Sequence, residues 1–316
     1  MRQLPISGVY VLHNPSKPTR IDLLPTSAYY VSGNGDQFAN MNVFLEKYRP
    51  DTILTWEGPG VATFPGLWKS RGIRWVNVVH WDWFNPQGVD AWLDAELIAP
   101  NAMCQRLLKE EYRLESTLLP VPVDTERLPF RKRMRADTFI SVYGYGGPHN
   151  RRSLPEIFLA WSEIPNPPPL VIKAQTSPPE LDRYMPPAEV TVQVANLSEP
   201  ADLYETGDVA VQLSRYEGIG ISFLEAMACG LPVITTKAEP MSEIAPDLCV
   251  PVDETNQVML AGKSILSSTP SISGIREVVE YLKGQDISKL SEKVRWRVEQ
   301  QYSWKALRPR WMELLS

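Results

Sequence analysis

Short apolar runs alternate with segments whose apolar residues recur at three- and four-residue spacing along most of the chain. In the first half, "GVYVLH", "SAYYVS", "DTILTWE", "IRWVNVVHW" and "AELIAP" read as strands. "FANMNVFLEKY", "FPGLWKSRG", "VDAWLD" and "NAMCQRLLKEEY" read as the helices among them. The second half repeats the style, with "TFISVYGY", "PLVIKA", "EVTVQVA", "DVAVQLS" and "LPVITT" as strands. Its helices are "SLPEIFLAWSEI", "EPADLYETG", "SFLEAMACG", "REVVEYLKG" and the closing stretch "LSEKVRWRVEQQYSWKALRPRWMELL". Strands that alternate with helices predict parallel sheets covered on both faces, because each crossover lays a helix over the sheet. No short fixed repeat recurs. What recurs is architecture: two open α/β halves, joined near "VPVDTERLPF".

Composition narrows this little. A chain of 316 residues is long for one core and comfortable for two, and 43% hydrophobic with 22% charged residues is globular rather than disordered. Many of the 29 prolines gather in "IPNPPPL" and "TSPPELDRYMPPAEV", which read as loops bounding strands. A net charge of −5 provides no global field to draw nucleic acid or an anionic membrane. The local basic run "RKRMR", Arg131 to Arg135, reads either as a solvated linker or as a contact for an anionic acceptor or surface. Cys104, Cys229 and Cys249 have no paired spacing and read as small buried residues of a reducing compartment. No apolar run has transmembrane length, and the start is too short for a secretory signal, so a cytoplasmic location is expected. The absence of D-x-D and of a His/Cys cluster with ligand spacing leads us to expect no metal and no cofactor.

The chemistry concentrates in "YEGIGISFLEAMACGLPVI", Tyr216 to Ile234, where seven residues separate Glu217 from Glu225. The pattern reads as strand, glycine-containing turn, helix of small residues, strand. In open parallel sheets, ligands sit beyond the carboxyl ends of the strands, in such turns. Gly218 and Gly220 remove side chains where a ligand approaches the backbone, and the amides at the start of the next helix suit a phosphate. Glu225 can accept hydrogen bonds from a ribose diol, and Glu217 from hydroxyls of a second sugar. Both also read as ordinary helix-end carboxylates, and the glycines as steric requirements of the turn.

This stretch closely resembles the E-x7-E signature of retaining glycosyltransferases of the GT-B fold, in the large family numbered four, which reads E-G-F-G-x-x-x-x-E-A-M-A-x-G-x-P-V-I. "VPVDTERLPF", "HNRRSLPEIFLAW" and "QQYSWKALRPRWMELL" resemble that family's interdomain, basic and C-terminal segments in the same order, over roughly residues 70 to 316. The resemblance implies two Rossmann-like domains with parallel sheets facing a central cleft. Residues 1–122 would form the acceptor-side domain and residues 123–298 the nucleotide-sugar domain. Residues 299–316 would form a helix crossing back to the N-terminal domain. It implies transfer of a sugar, with retention and without metal, from a UDP- or GDP-sugar to a hydroxyl acceptor. That acceptor would be a glycan, a lipid carrier or a modified nucleobase such as a hydroxymethylated base of phage DNA.

Residue by residue, the resemblance assigns Glu217 to the transferred sugar and Glu225 to the donor ribose. The backbone from Gly218 through Ile219, Gly220 and Ile221 to Ser222 would hold sugar hydroxyls and diphosphate. Arg152 matches the family's diphosphate-neutralising lysine, with Arg151 beside it. Where the family has its other basic residue this chain has Gly146, so Lys173 is the candidate for the missing charge. His80 matches a histidine that reaches the donor sugar or the reacting centre. Val194 and Asn196 fall near the nucleotide base. The family's glycine-rich first loop is missing from "VYVLHNPSKPTRID", so the acceptor side is the least defined. Trp81, Trp83, His13 and Lys17 are its candidates. That departure also motivates the alternative of an inactive nucleotide-sugar-binding subunit of a glycosyltransferase complex.

Overall fold

The computed structural model describes residues 9–13, 28–32, 36–56, 64–86, 89–195 and 199–316. Strands β1 (Val9–His13) and β2 (Ala28–Ser32) pair in parallel as a separate two-stranded piece. A four-stranded parallel sheet follows in chain order: β3 (Thr52–Trp56), β4 (Arg74–Val78), β5 (Glu96–Ala99) and β6 (Ser116–Leu118). Helix α1 (Gln37–Tyr48) precedes β3, and the crossovers contain α2 (Pro65–Lys69), α3 (Val89–Trp92) and α4 (Ala102–Tyr112). Trp75 to Val78 in β4 are all buried, the expected signature of a strand covered on both faces.

The second sheet has six parallel strands: β7 (Phe139–Gly144), β8 (Leu170–Ala174), β9 (Val190–Val194), β10 (Val209–Gln212), β11 (Val233–Thr236) and β12 (Leu248–Val250). Their spatial order is β12-β11-β10-β7-β8-β9. The chain therefore builds outward from β7 in one direction, then returns to β10 and builds in the other. The β7–β10 junction is the topological switch point, where the loops leaving two adjacent strands diverge and open a crevice. Helix α5 (Leu154–Glu163) and α8 (Ile272–Leu282) cover one face, and α6 (Ile221–Ala228) and α9 (Ser288–Gln301) the other. A short α7 (Met241–Ile244) lies between β11 and β12.

The last helix, α10 (Trp304–Leu315), returns to the first sheet, where Leu307 and Trp311 pack with Val76, Val78, Ile98 and Leu119. Trp311 stacks on Trp56 at 6.2 Å and donates from its indole to the Pro120 carbonyl at 3.2 Å. Among the described residues, no helix is long and apolar enough to cross a membrane.

Two segments differ from the sequence pattern. "EPADLYETG" forms one 3-10 turn, Pro200–Leu203, rather than an α-helix; the turn opens on a capping box between Glu199 and Asp202. An antiparallel hairpin, β13 (Val252–Leu260) and β14 (Lys263–Pro270), was not expected. Its two-residue turn has Ala261 at φ 50° and Gly262 at φ 79°, the left-handed pair that matches the twist of the flanking strands.

Candidate active site

The two loops that leave the switch point carry the expected carboxylate and the expected arginines. After β10 the chain runs through Ser214 and Glu217 to Gly220, which starts α6 at φ 74°, in the left-handed region natural to glycine. The loop is pressed against the first sheet. Ile219 packs with Val76, Val78 and Trp311, and Tyr216 joins the cluster around Trp81 and Phe84. The Asn101 amide, at the cap of α4, donates to the Gly218 carbonyl at 2.7 Å. A Cβ at Gly218 would fall 2.2 Å from His80 Cδ2, so only glycine allows the backbone to meet that ring. His80 follows β4 and lies against Gly218, next to the signature loop.

Glu217 is buried and held from two sides. Arg152 Nη1 reaches its Oε1 at 2.5 Å, and Arg151 Nη2 reaches its Oε2 at 2.5 Å. Ser214 donates to Oε1 at 2.8 Å and accepts from Arg152 at 2.7 Å. Arg151 also lies 2.9 Å from Asp82, itself 3.8 Å from His80 Nε2. Burial works against ionisation of Glu217, yet the two guanidiniums overcome it and hold the carboxyl well below its ordinary range. Asp82 is shifted up instead: its burial outweighs the pull of Arg151 and His80. Burial opposes the charge of Arg151, but Glu217 and Asp82 keep it firmly protonated.

Glu225 lies on α6, below this network. The Tyr204 hydroxyl donates to it at 2.9 Å. Burial raises the Glu225 carboxyl to about 7, and the Tyr204 bond only partly offsets that rise. A group that changes charge near neutrality thus stands at the ribose position of the sequence reading.

Other candidates are placed differently. The buried Lys173 donates its ammonium to the Asp202 carbonyl at 2.9 Å, and its charged neighbours are Glu205 and Asp202, so it is not gathered into the Glu217 network. Trp81 is a core side chain, 4% exposed and stacked on Phe84 at 6.0 Å, which removes it from the acceptor surface. Trp83, 45% exposed, keeps an open face. Val194 ends β9 with its side chain half exposed. Of His13 only the position at the end of β1 is described, and Lys17 and Asn196 lie outside the described residues. The basic run is not an open patch throughout: Arg133 is buried and donates to the Tyr204 and Glu205 carbonyls, and Arg131 also binds Glu205.

Sequence reasoning missed Asp82, Ser214, Asn101 and Tyr204. Asp82 carries a signal, a carboxylate enclosed by two tryptophans in "HWDWF", and Ser214 ends the strand pattern directly before the signature. Asn101 and Tyr204 act from distant segments and have no local signal.

Residues 184–266, a span that includes both glutamates, match the family profile of Glycosyl transferases group 1. No curated protein matches the sequence significantly. Among solved structures, the chain is similar to a sucrose-phosphate synthase from Thermosynechococcus elongatus, with TM-score 0.65 and 17% identity over 87% of this chain and 75% of that one. It is also similar to a chain of the GtfA/B complex, with TM-score 0.59 and 16% identity over 88% of this chain, but spans only 59% of that chain. HepE of Anabaena, solved with UDP-glucose, gives TM-score 0.64 and 12% identity over 88% of this chain and 81% of that one. Residues 184–266 thus match a group 1 glycosyltransferase profile, within an α/β fold of parallel sheets that matches GT-B glycosyltransferase structures.

Proposed function

We propose that the protein is a retaining glycosyltransferase of the family-four type, which moves a sugar from a UDP- or GDP-sugar to a hydroxyl acceptor without metal. The observation that carries this reading is Glu217 clamped between Arg151 and Arg152 at the switch point of the second sheet, directly before α6 and Glu225. The two arginines are charged, nearly enclosed and neutralised by carboxylates that a diphosphate can replace. Glycosyl transfer builds negative charge on the departing diphosphate, and fixed cations aimed at it lower the barrier. In this reading Glu225 takes the ribose diol and the backbone from Gly218 to Ser222 takes diphosphate and sugar hydroxyls. Released from the arginines, Glu217 accepts from the transferred sugar.

The bond from the anomeric carbon to the diphosphate breaks, and a bond to the acceptor oxygen forms on the same face. The acceptor proton passes to the departing phosphate. His80 lies beside Gly218, at the place where donor and acceptor would meet. We assign residues 1–122 to the acceptor side, residues 123–298 to the donor side and residues 299–316 to the returning helix. The presence of UDP-glucose in the HepE structure favours UDP as the first nucleotide to try.

The test is nucleoside diphosphate release from a panel of sugar nucleotides, with and without chelator, followed by the anomeric configuration of the product. Release that survives the chelator and yields an axial product from an axial donor supports the reading. An inverted product or strict metal dependence overturns it.

A further inference from the structure

The β13–β14 hairpin is bonded to the second half near its base and to the first half at its tip. At its base, the Ser268 amide donates to the Arg215 carbonyl at 2.9 Å, two residues before Glu217. At its tip, the buried Lys263 ammonium donates to the Trp81 carbonyl at 2.6 Å and the Phe84 carbonyl at 2.7 Å. The same ammonium lies 4.9 Å from the centre of the Trp81 ring and 6.0 Å from that of Phe84. Register places Val258, Leu260, Lys263 and Ile265 on one face of the hairpin, and Val258, Leu260 and Ile265 pack into the core of the first half. The opposite face carries the exposed Met259 and Leu266.

The two carbonyls that Lys263 binds bracket Asp82. They lie at the start and just past the end of the 3-10 turn Trp81–Trp83, where the Trp83 amide and that of its capping residue Phe84 both donate to the His80 carbonyl at 2.9 Å. The turn presents Asp82 to Arg151 and His80 to Gly218. From Ser268 to Lys263, β14 spans about 17 Å of extended chain at ~3.4 Å per residue. One stiff strand thus connects the loop of Glu217 to the turn of His80 and Asp82.

We propose that Lys263 is a positioning residue. It pins the carbonyls of Trp81 and Phe84, and through the hairpin it sets His80 and Asp82 in register with Glu217 and Arg151. The inference rests on the glycosyltransferase reading for its effect on turnover, but the pinning itself is independent of that reading. Lys263 touches no reacting atom; it acts through the turn. A misplaced turn weakens the transition state more than it weakens nucleotide binding, because the donor's nucleotide is assigned to α6 and Glu225.

The test compares Lys263→Met, which keeps the apolar stem, with Leu266→Ser on the outward face of the same strand. Amide hydrogen exchange at Trp83 and Phe84 reads the turn directly, and donor turnover reads the consequence. In Lys263→Met, exchange at those amides is expected to rise at least about tenfold, with strands β10 and β11 unchanged. Its kcat is expected to fall at least about tenfold with the donor KM within about twofold. Leu266→Ser is expected to change neither. Unchanged exchange at Trp83 and Phe84 overturns the proposal, as does raised exchange with wild-type kcat. Should the wild-type protein turn over no sugar nucleotide while exchange rises as expected, the pinning stands and the glycosyl-transfer reading falls.

Discussion

The Gly218 backbone and the His80 ring touch across the junction of the two sheets: a methyl group on Gly218 would lie 2.2 Å from His80 Cδ2 and 2.7 Å from Nε2. The contact couples the signature loop to the first half more tightly than the signature itself implies. Gly218→Ala must displace His80, and Asp82 with it, since the same methyl lies 3.2 Å from Asp82 Oδ1. Overpacking of this kind costs about 1–3 kcal/mol of stability. Under the proposed function, displacing a group at the reacting centre by about an ångström loses on the order of a hundredfold in rate. Denaturant unfolding and donor turnover of Gly218→Ala should show both losses together.

Glu217 gives a prediction about acid. Its carboxyl is held below its ordinary value of 4.5 by Arg151 and Arg152 despite burial. A carboxyl depressed in the folded state stabilises the protein above the unfolded pKa, and that contribution disappears as pH falls through the folded value. Wild type should therefore lose stability below about pH 4.5 more steeply than Glu217→Gln. At pH 7 the variant removes the carboxylate partner of Arg152 and leaves Arg151 with Asp82 alone, and it should be less stable by about 3–5 kcal/mol. Chemical denaturation from pH 2 to pH 7 checks both; a smaller acid loss in wild type contradicts the network.

Glu225 gives the opposite sign. Its folded carboxyl titrates near 7, above the ordinary 4.5, so the folded state holds the proton more tightly than the unfolded one. Stability should fall as pH rises from 4.5 towards 7, and Glu225→Gln should remove that slope. If the ionised carboxylate takes the ribose diol, nucleotide affinity should tighten as pH rises through 7 and then level off. Calorimetric titration with UDP at pH 6, 7 and 8 reads this, and an affinity independent of pH contradicts the assignment.

The returning helix gives a stability test far from the chemistry. Trp311 is fully buried, stacks on Trp56 and packs with Leu307 against the first sheet. Trp311→Ala should cost about 3–5 kcal/mol, as large core truncations do. A change below about 1 kcal/mol would mean that α10 does not tie the chain's end to that sheet.

The parts legible in the sequence are those with strong local signals. Strands such as "DVAVQLS" and "PLVIKA" have continuous apolar runs, and α5 and α8 show clear helical spacing, so the parallel architecture follows from periodicity. The loop of Glu217 was legible because glycines, carboxylates and a following small-residue helix occur together in one stretch. The hairpin was not, because its turn is Ala261-Gly262 rather than Asn-Gly and because residues 253–257 of β13 are an unbroken polar and charged run. Lys173 and Lys263 show what composition cannot say. Both are buried lysines, but one caps a carbonyl near the edge of the second sheet while the other reaches into the opposite half. Trp81 was ambiguous for the same reason: "HWDWF" has two tryptophans, and only packing decides which one is core.

The most direct test of the central claim is sugar-nucleotide binding to wild type and to Glu225→Ala, followed by thermal unfolding across UDP-, GDP-, ADP- and dTDP-sugars. A donor present at about a hundred times its Kd stabilises the folded state by roughly 2.7 kcal/mol. The account predicts such a shift with one nucleotide class and its loss in Glu225→Ala. No shift with any class, or the same shift in both proteins, would contradict a nucleotide-sugar site at the Glu217–Glu225 loop.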